Sequence, residues 1–496
     1  MIDVLIVGYG PTGETLATLL GRAGLRVVVL ERSADAYPLP RAVHLDAEAM
    51  RVFQACGLGD AVERIAAPSL GMDYVDVDGQ TVFTYEPFRR PPLLGWEQDY
   101  MIFQPALDAL LREAAARLPT VEARLGAEVM RVQQHAHGVT AHLAGGETLE
   151  AHWLVACDGA TSTVRRRMQV GVEDLGYHER WLVVDVELRR PVALPDRVQQ
   201  ICDPRRPATF IPGAVRHRRW ELMALAGEDN AALEDPARVW ELLAPWLGPR
   251  DATLVRARTY WFHALAAERF RHGRVFLAGD AAHQMPPFMG QGLCSGIRDA
   301  ANLAWKLEAV LHGAREELLD TYESERRPHV LETIRLSVES GRLIERIATA
   351  GVQVLPPAAP VDPAEWSRLP HLAAGALHPP ANPPAPIGRQ AHQPFVVTAD
   401  GRRVRLDDVC GSGFALLTRR HATARDLSVL PFATVTAQRV GDPDGGLDRL
   451  LGPHEALVLR PDRYVFGAAH DERQLDEVLD SLHRWVGAHD AIGARA

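Results

Sequence analysis

Ile2-Asp3-Val4-Leu5-Ile6-Val7-Gly8-Tyr9-Gly10-Pro11-Thr12-Gly13-Glu14 is the stretch on which the reading of this chain turns. A short apolar, β-rich run breaks into Gly8-x-Gly10-x-x-Gly13, and from Glu14 to Ala23 apolar residues recur at helical spacing before Gly24. Leu25-Arg26-Val27-Val28-Val29-Leu30 restores a strand, and Glu31 closes it 23 positions after Gly8. A βαβ opening with almost no linker belongs to a buried parallel sheet, so the expected class is α/β with a Rossmann-like nucleotide domain. The glycines allow a tight turn, close approach of backbone to a pyrophosphate, and close packing of helix on strand. Gly8, Gly10, Pro11, Thr12 and Gly13 are therefore cofactor-binding candidates, with Glu31 placed to hold ribose hydroxyls and Arg32 beside it. An acid at that position disfavours a ribose 2′-phosphate, which leaves FAD or NAD as the bound nucleotide.

Working outward, Pro105 to Leu118 reads as an amphipathic helix, Trp153 to Cys157 as a buried strand, and Trp181 to Leu188 as a strand of a second, half-exposed sheet. Arg274 to Ala278 is another buried strand. Helical periodicity runs from Gly296 to His312 and again from Leu318 to about Ala348, interrupted only by Pro328. Ten prolines between Val354 and Pro386 mark a linker. Beyond it, apolar triplets at Phe395, Ala415, Thr434 and Tyr464 alternate with helical stretches that end in Arg473 to Val486, a small α/β unit.

Composition bounds the function. The chain has 496 residues, 47% hydrophobic and 24% charged, enough for about three domains at roughly 150 residues each. Its 54 Lys and Arg against 64 Asp and Glu give a net charge of −10, which argues against nucleic acid or an anionic membrane as a partner. Five scattered cysteines without a CxxC pair read as a reducing, cytoplasmic setting. The first residues enter a strand directly, and no run of eighteen apolar residues occurs, so neither export nor a membrane span is expected. The histidines form no HExxH or three-ligand pattern, and no metal is expected.

Two distant segments echo the first motif. Leu154-Val-Ala-Cys-Asp158-Gly159-Ala-Thr-Ser-Thr-Val-Arg165 ends a strand in an acid-glycine turn, and Arg274-Val-Phe-Leu-Ala-Gly279-Asp280-Ala-Ala-His283 does much the same. With GxGxxG, Asp-Gly and Gly-Asp in this order, the sequence resembles the flavin-dependent aromatic hydroxylases, single-component FAD monooxygenases similar to p-hydroxybenzoate hydroxylase. The run from Gly279 through Gly292 to Ala300 and the segment Cys202-Asp-Pro-Arg-Arg-Pro look closest to the 3-(3-hydroxyphenyl)propionate hydroxylases. The resemblance is strong over residues 1 to about 345. It implies an FAD-binding domain over 1–175 and 271–350, an inserted β-sheet substrate domain over 176–270, a linker over 351–387, and a thioredoxin-like domain without CxxC over 388–496.

The same resemblance assigns Asp280, after Gly279, to the ribityl chain, with a helix N-cap as its simpler reading. It assigns Asp158 and Gly159 to FAD and nicotinamide binding, with Arg165 as a weaker candidate. Arg41 is implied to contact the cofactor, Gln104 its ribityl and phosphate side, and Val129 the adenine through its backbone. Pro287 and Gly290 line the flavin, while Gly292, Leu293 and Cys294 aim backbone N–H groups at its pyrimidine end. His44 is the candidate for relaying the substrate's proton, because a neutral imidazole accepts one near pH 7. His283 and the run Arg216-His-Arg-Arg219 read as structural, the latter as a solvated hairpin turn.

The implied activity is an FAD-dependent monooxygenase that consumes NADH or NADPH and O2. It would hydroxylate a small phenolic substrate, hydroxyphenylpropionate-like, ortho to an existing hydroxyl, through a flavin C4a-hydroperoxide. The alternative is an FAD epoxidase or Baeyer-Villiger-type oxygenase acting on a larger aromatic or polyketide substrate. A flavin halogenase is disfavoured because no Trp-x-Trp-x-Ile element occurs. A homodimer is left open, as is a non-enzymatic flavin-holding protein.

Overall fold

The computed structural model describes residues 1–86, 92–350, 369–379, 384–419, 432–436 and 440–487. Its first sheet has eight strands, with a parallel core that runs Val275–Leu277, Thr148–Ala156, Ile2–Val7, Val27–Glu31, Val121–Leu125. Val4, Leu5, Ile6, Val29, Leu30, Leu154, Val155 and Ala156 are fully buried there, which is why these strands read as unbroken apolar runs. The helices Pro11–Arg22 and Gln291–Leu311 pack on each other against it. Three strand ends, at Val7, Ala156 and Leu277, therefore deliver the three glycine-containing motifs to one edge. Ligands gather at such carboxyl ends in open α/β sheets.

A second eight-stranded sheet runs His283–Gln284, Ala252–Ala267, Val172–Leu188, His217–Met223, Ala208–Ile211, Val198–Ile201, Met72–Val75, Thr81–Tyr85. The span 176–270 expected for it is too narrow. Met72–Val75 reaches it from far upstream by pairing in parallel with Val198–Ile201, and the strand from Val172 begins before residue 176. One face of this sheet is dry, with Leu182, Val184, Val186, Phe210, Trp220 and Leu222 packed over the helix Pro236–Leu243. The other face looks toward the first sheet.

The long helix Asp320–Ala350 continues through Pro328, although proline removes a backbone donor from a helix interior. Residues 351–368 and 380–383 of the expected linker lie outside the described residues. The described remainder is not a spacer. Leu372, Leu377 and Ile387 are buried in the terminal core, Leu372 N–H bonds Gly388 O at 2.8 Å, and His378 N–H bonds Phe466 O at 2.8 Å. The terminal unit holds a four-stranded sheet ordered Phe432–Thr436, Phe414–Thr418, Ala456–Leu459, Val465–Ala469, covered by the helix Glu472–Val486.

Candidate active site

The first motif builds an anion cradle. Gly8 has φ +102°, and a Cβ there would sit 2.3 Å from Cys157 O, while one at Gly13 would sit 2.2 Å from Gly8 O. Only glycine allows this approach of loop, strand and helix. Gly10, by contrast, faces open space, and the helix it caps has no side chain on its first amides, so these N–H groups are free for a phosphate. Glu31 accepts Tyr9 N–H and Ser33 N–H, both at 2.9 Å, and so ties the loop to the end of its strand; Arg32 is exposed beyond it. Arg112 braces the loop from behind, donating to Tyr9 O at 2.6 Å and to the buried Glu14 at 2.7 Å. Val129 starts its strand beside this end, since Ala127 N–H bonds Glu31 O at 2.8 Å.

The two later motifs take different parts. Asp158 is consumed by capping, accepting Thr163 N–H at 2.7 Å, Val164 N–H at 3.1 Å and the Ser162 hydroxyl. Arg165 is a tie between motifs: its guanidinium donates to Ala281 O at 2.7 Å and Ala160 O at 2.9 Å. Asp280 does not cap the short helical turn it belongs to, and its carboxyl accepts no hydrogen bond from any described residue. That carboxyl is exposed and lines the cavity, and the protein packed around it pushes its pKa up against the pull of His283 and Arg41. Gly279 (φ +59°) and Gly296 both abut Thr12, whose Oγ1 would lie 2.6 and 2.3 Å from a Cβ at either. Behind them Asp299 accepts Gly279 N–H at 3.0 Å, His283 Nε2 at 2.7 Å and Arg326 Nε at 2.8 Å, so His283 is structural.

These motifs border a cavity of about 770 Å³ that the second sheet closes on its far side. Gly10, Pro11, Thr12, Arg41, Gln104, Gly159, Asp280, Pro287, Gly290, Gly292 and Leu293 all line it. Gln104 acts through the loop that carries Arg41: its Oε1 accepts Arg41 N–H at 3.1 Å and Ala42 N–H at 2.7 Å. The helix Gln291–Leu311 begins at Gly290 with no capping side chain, leaving first-turn amides at Gly292 and Leu293 on the cavity wall, while Cys294 is fully buried behind them and does not line it. A group with an anionic middle, a hydroxylated chain and an electron-accepting ring fits this succession of uncapped helix, unpartnered carboxyl and second uncapped helix.

His44 stands on the cavity wall. Its Nε2 lies 2.8 Å from Asp99 Oδ1 and its Nδ1 3.2 Å from Gly290 O, so both ring nitrogens face acceptors. Burial opposes its charge, but the Asp99 bond and Cys294 outweigh it and the pKa is raised well above the ordinary imidazole value. The ring is therefore not a lone base but one partner of a pair with Asp99, which favours its protonated form; the sequence reading missed Asp99 because it lies 55 positions away. The run from Arg216 to Arg219 is a solvated turn only at its first residue, the exposed Arg216. His217 and Arg219 point inward from a strand, and each bonds the fully buried Asp185 at 2.7 Å.

An FAD binding domain model matches residues 1–337, and an HcaD C-terminal domain model matches 388–437. The chain belongs to the FAD-dependent aromatic hydroxylases. A probable NADH-specific resorcinol 4-hydroxylase of Rhodococcus jostii (strain RHA1) is 36% identical, covering 97% of this chain and 94% of the relative. A 3-(3-hydroxy-phenyl)propionate/3-hydroxycinnamic acid hydroxylase of Mycobacterium sp. (strain KMS) is 38% identical over 95% of this chain and 89% of its own. Among solved structures, aklavinone-11 hydroxylase in complex with FAD and aklavinone superposes with a TM-score of 0.81 at 26% identity, covering 98% of this chain and 99% of that one. FAD is the hydroxylase's cofactor, and the cradle described above suits it.

Proposed function

We propose that the hydroxylase uses NADH and O2 to hydroxylate a one-ring phenol ortho to its hydroxyl, with the inner face of the second sheet as the substrate wall. The observation that carries this reading is the single cavity in which the FAD cradle, the His44–Asp99 pair and that sheet face meet. The bound flavin supplies the transfer of hydride from the nicotinamide and of oxygen to the ring. Asp280 holds the ribityl hydroxyls, the first amides of the two uncapped helices hold the phosphates and the ring carbonyls, and Arg41 stands at the mouth beside Tyr37. With both ring nitrogens of His44 turned to protein acceptors, the acceptor left for a phenolic proton is the Asp99 carboxylate. His44 keeps that carboxylate oriented and balances the charge that a phenolate would add. A carboxylate that takes the phenolic proton raises the electron density of the ring carbons ortho and para to that oxygen, and the new oxygen is directed to an ortho one.

The preference for NADH draws support from the NADH-specific relative. The terminal unit, a mixed sheet under a long helix, reads as a thioredoxin-like domain without redox chemistry. Its Cys410 is buried and its thiol is pushed up to about 12 by burial, opposite to what a nucleophilic thiol needs. The deciding experiment is anaerobic stopped-flow absorbance of the FAD-loaded protein, mixed with NADH or NADPH with and without resorcinol or 3-(3-hydroxyphenyl)propionate. Bleaching by NADH that a phenol accelerates at least tenfold is expected. Bleaching indifferent to every phenol would remove the phenol reading while leaving the flavoenzyme.

A further inference from the structure

The inner face of the second sheet carries one acid, Glu221, to which no described residue donates a hydrogen bond. Along His217–Met223 the alternation of a strand sends Trp220 and Leu222 into the dry core and His217, Arg219 and Glu221 to the other side. Glu221 is 5% exposed and lines the cavity. Its cross-strand neighbours are Val183, which has no donor, and Thr209, whose hydroxyl donates to Gln200 Oε1 at 2.6 Å.

The nearby cations are also engaged elsewhere. Arg219 donates from Nε to Asp185 at 2.7 Å, from Nη1 to Arg41 O at 2.6 Å and from Nη2 to Pro40 O at 2.9 Å; its closest approach to Glu221 is 3.8 Å, an ion pair without a hydrogen bond. Arg256 donates from Nε to Asp185 at 2.8 Å and from Nη1 to the Tyr260 hydroxyl at 3.3 Å. Among the described residues, then, none donates to the Glu221 carboxyl. Burial pushes its pKa up, with Arg219 and Arg256 pulling down and Asp185 pushing with burial. A cavity-facing carboxyl with no donor from the protein is left for water or a ligand to satisfy, and a ligand O–H aimed at it supplies that hydrogen bond. Arg219 and Arg256 both pair with Asp185, so a ligand carboxylate aimed at Glu221 would face an acid of like charge rather than a free guanidinium.

We propose that Glu221 is a specificity-determining acceptor for a second hydroxyl on the substrate ring, so that the cavity selects a dihydroxylated arene over a phenol bearing a carboxylate. The inference rests on the phenol-hydroxylase reading above and adds to it the group recognised at the far end of the ring.

The test is a binding titration of the oxidised, FAD-loaded protein, read from the flavin absorbance change, with resorcinol, the isosteric 3-methylphenol, and 3-(3-hydroxyphenyl)propionate. Wild type should bind resorcinol about tenfold to a hundredfold more tightly than 3-methylphenol, the ratio that one charge-assisted hydrogen bond gives. Glu221→Leu should bring that ratio to about one. Glu221→Gln should weaken resorcinol while tightening 3-(3-hydroxyphenyl)propionate, because the opposing carboxylate has gone. Opposite shifts for two ligands do not arise from a merely structural role, and they decide the matter if the leucine variant fails to retain FAD. A resorcinol preference that survives in Glu221→Leu overturns the proposal. So does a wild type that binds the propionate most tightly and loses both ligands together on substitution. If 3-methylphenol and resorcinol accelerate NADH oxidation alike, Glu221 selects nothing and the hydroxylase reading stands; if no phenol perturbs the flavin or the NADH rate, both fall.

Discussion

Asp280 and Asp158 sit in motifs of the same shape, an acid beside a glycine at the end of a buried strand, yet their surroundings separate them. Asp158 is spent on three donors of its own loop, so it works as a cap. Asp280 has no donor among the described residues and faces the cavity. Asp158→Ala should therefore lower stability by about 1–2 kcal/mol, the usual cost of losing a helix cap, visible as a shift in the urea midpoint of the apoprotein. Asp280→Ala should leave that midpoint close to wild type and weaken FAD by about tenfold to a hundredfold, measured by the rise in flavin fluorescence on release. Equal loss of stability in both variants would show that the two acids do the same job.

The helix Gln291–Leu311 is placed by the loop before it, and Gly290 is the hinge of that placement. Its φ of +65° belongs to the left-handed region, and an added Cβ would lie 2.6 Å from His44 Nδ1. Gly290→Ala should cost about 1–3 kcal/mol in strain and displace the His44 ring, slowing phenol-dependent flavin reduction more than it slows reduction without phenol. An unchanged ratio of the two rates would argue that His44 does not act on the substrate. This loop was legible from sequence because its glycines are needed by local geometry, as were the βα turns at Gly8 and Gly279. Partners brought together only by tertiary structure were not: Asp99 reaches His44 across 55 positions, and Asp299 gathers Gly279 and His283 from one segment and Arg326 from another. Residues 216–219 misled for another reason. Four consecutive basic or His side chains hid the alternation that Trp220 and Leu222 continue, so a strand with a buried His217 and a buried Arg219 read as a turn. The proline count hid the packing of Leu372, Leu377 and Ile387 in the same way.

The terminal unit is joined to the flavin-binding body by buried charge as much as by apolar contact. Arg51 bonds Asp407 at 2.5 and 2.8 Å, Tyr464 donates to Glu48 at 2.8 Å, and Glu48 also holds Arg298 of the helix that begins at the cavity. The densest knot is Glu325, which accepts Arg460 at 2.8 and 3.0 Å, Lys306 at 2.8 Å and Asn302 at 2.7 Å. Burial works against its charge, but Arg460 and Lys306 prevail and bring the carboxyl down to about 2. A carboxyl whose folded pKa lies below its unfolded value of about 4.3 adds stability that is complete above that value and lost as pH falls toward the folded one. Glu325→Gln removes the anion and leaves two buried cations facing a neutral amide, a change that typically costs about 3–5 kcal/mol. The urea midpoint of wild type should thus lie well above that of the variant at pH 7, and the gap should hold down to about pH 5. Below about pH 4.3 it should narrow, since wild type then loses by protonation what the variant lacks throughout. A gap that stays constant from pH 7 to pH 3 would mean that Glu325 contributes by packing alone, and that charge does not hold the terminal unit in place.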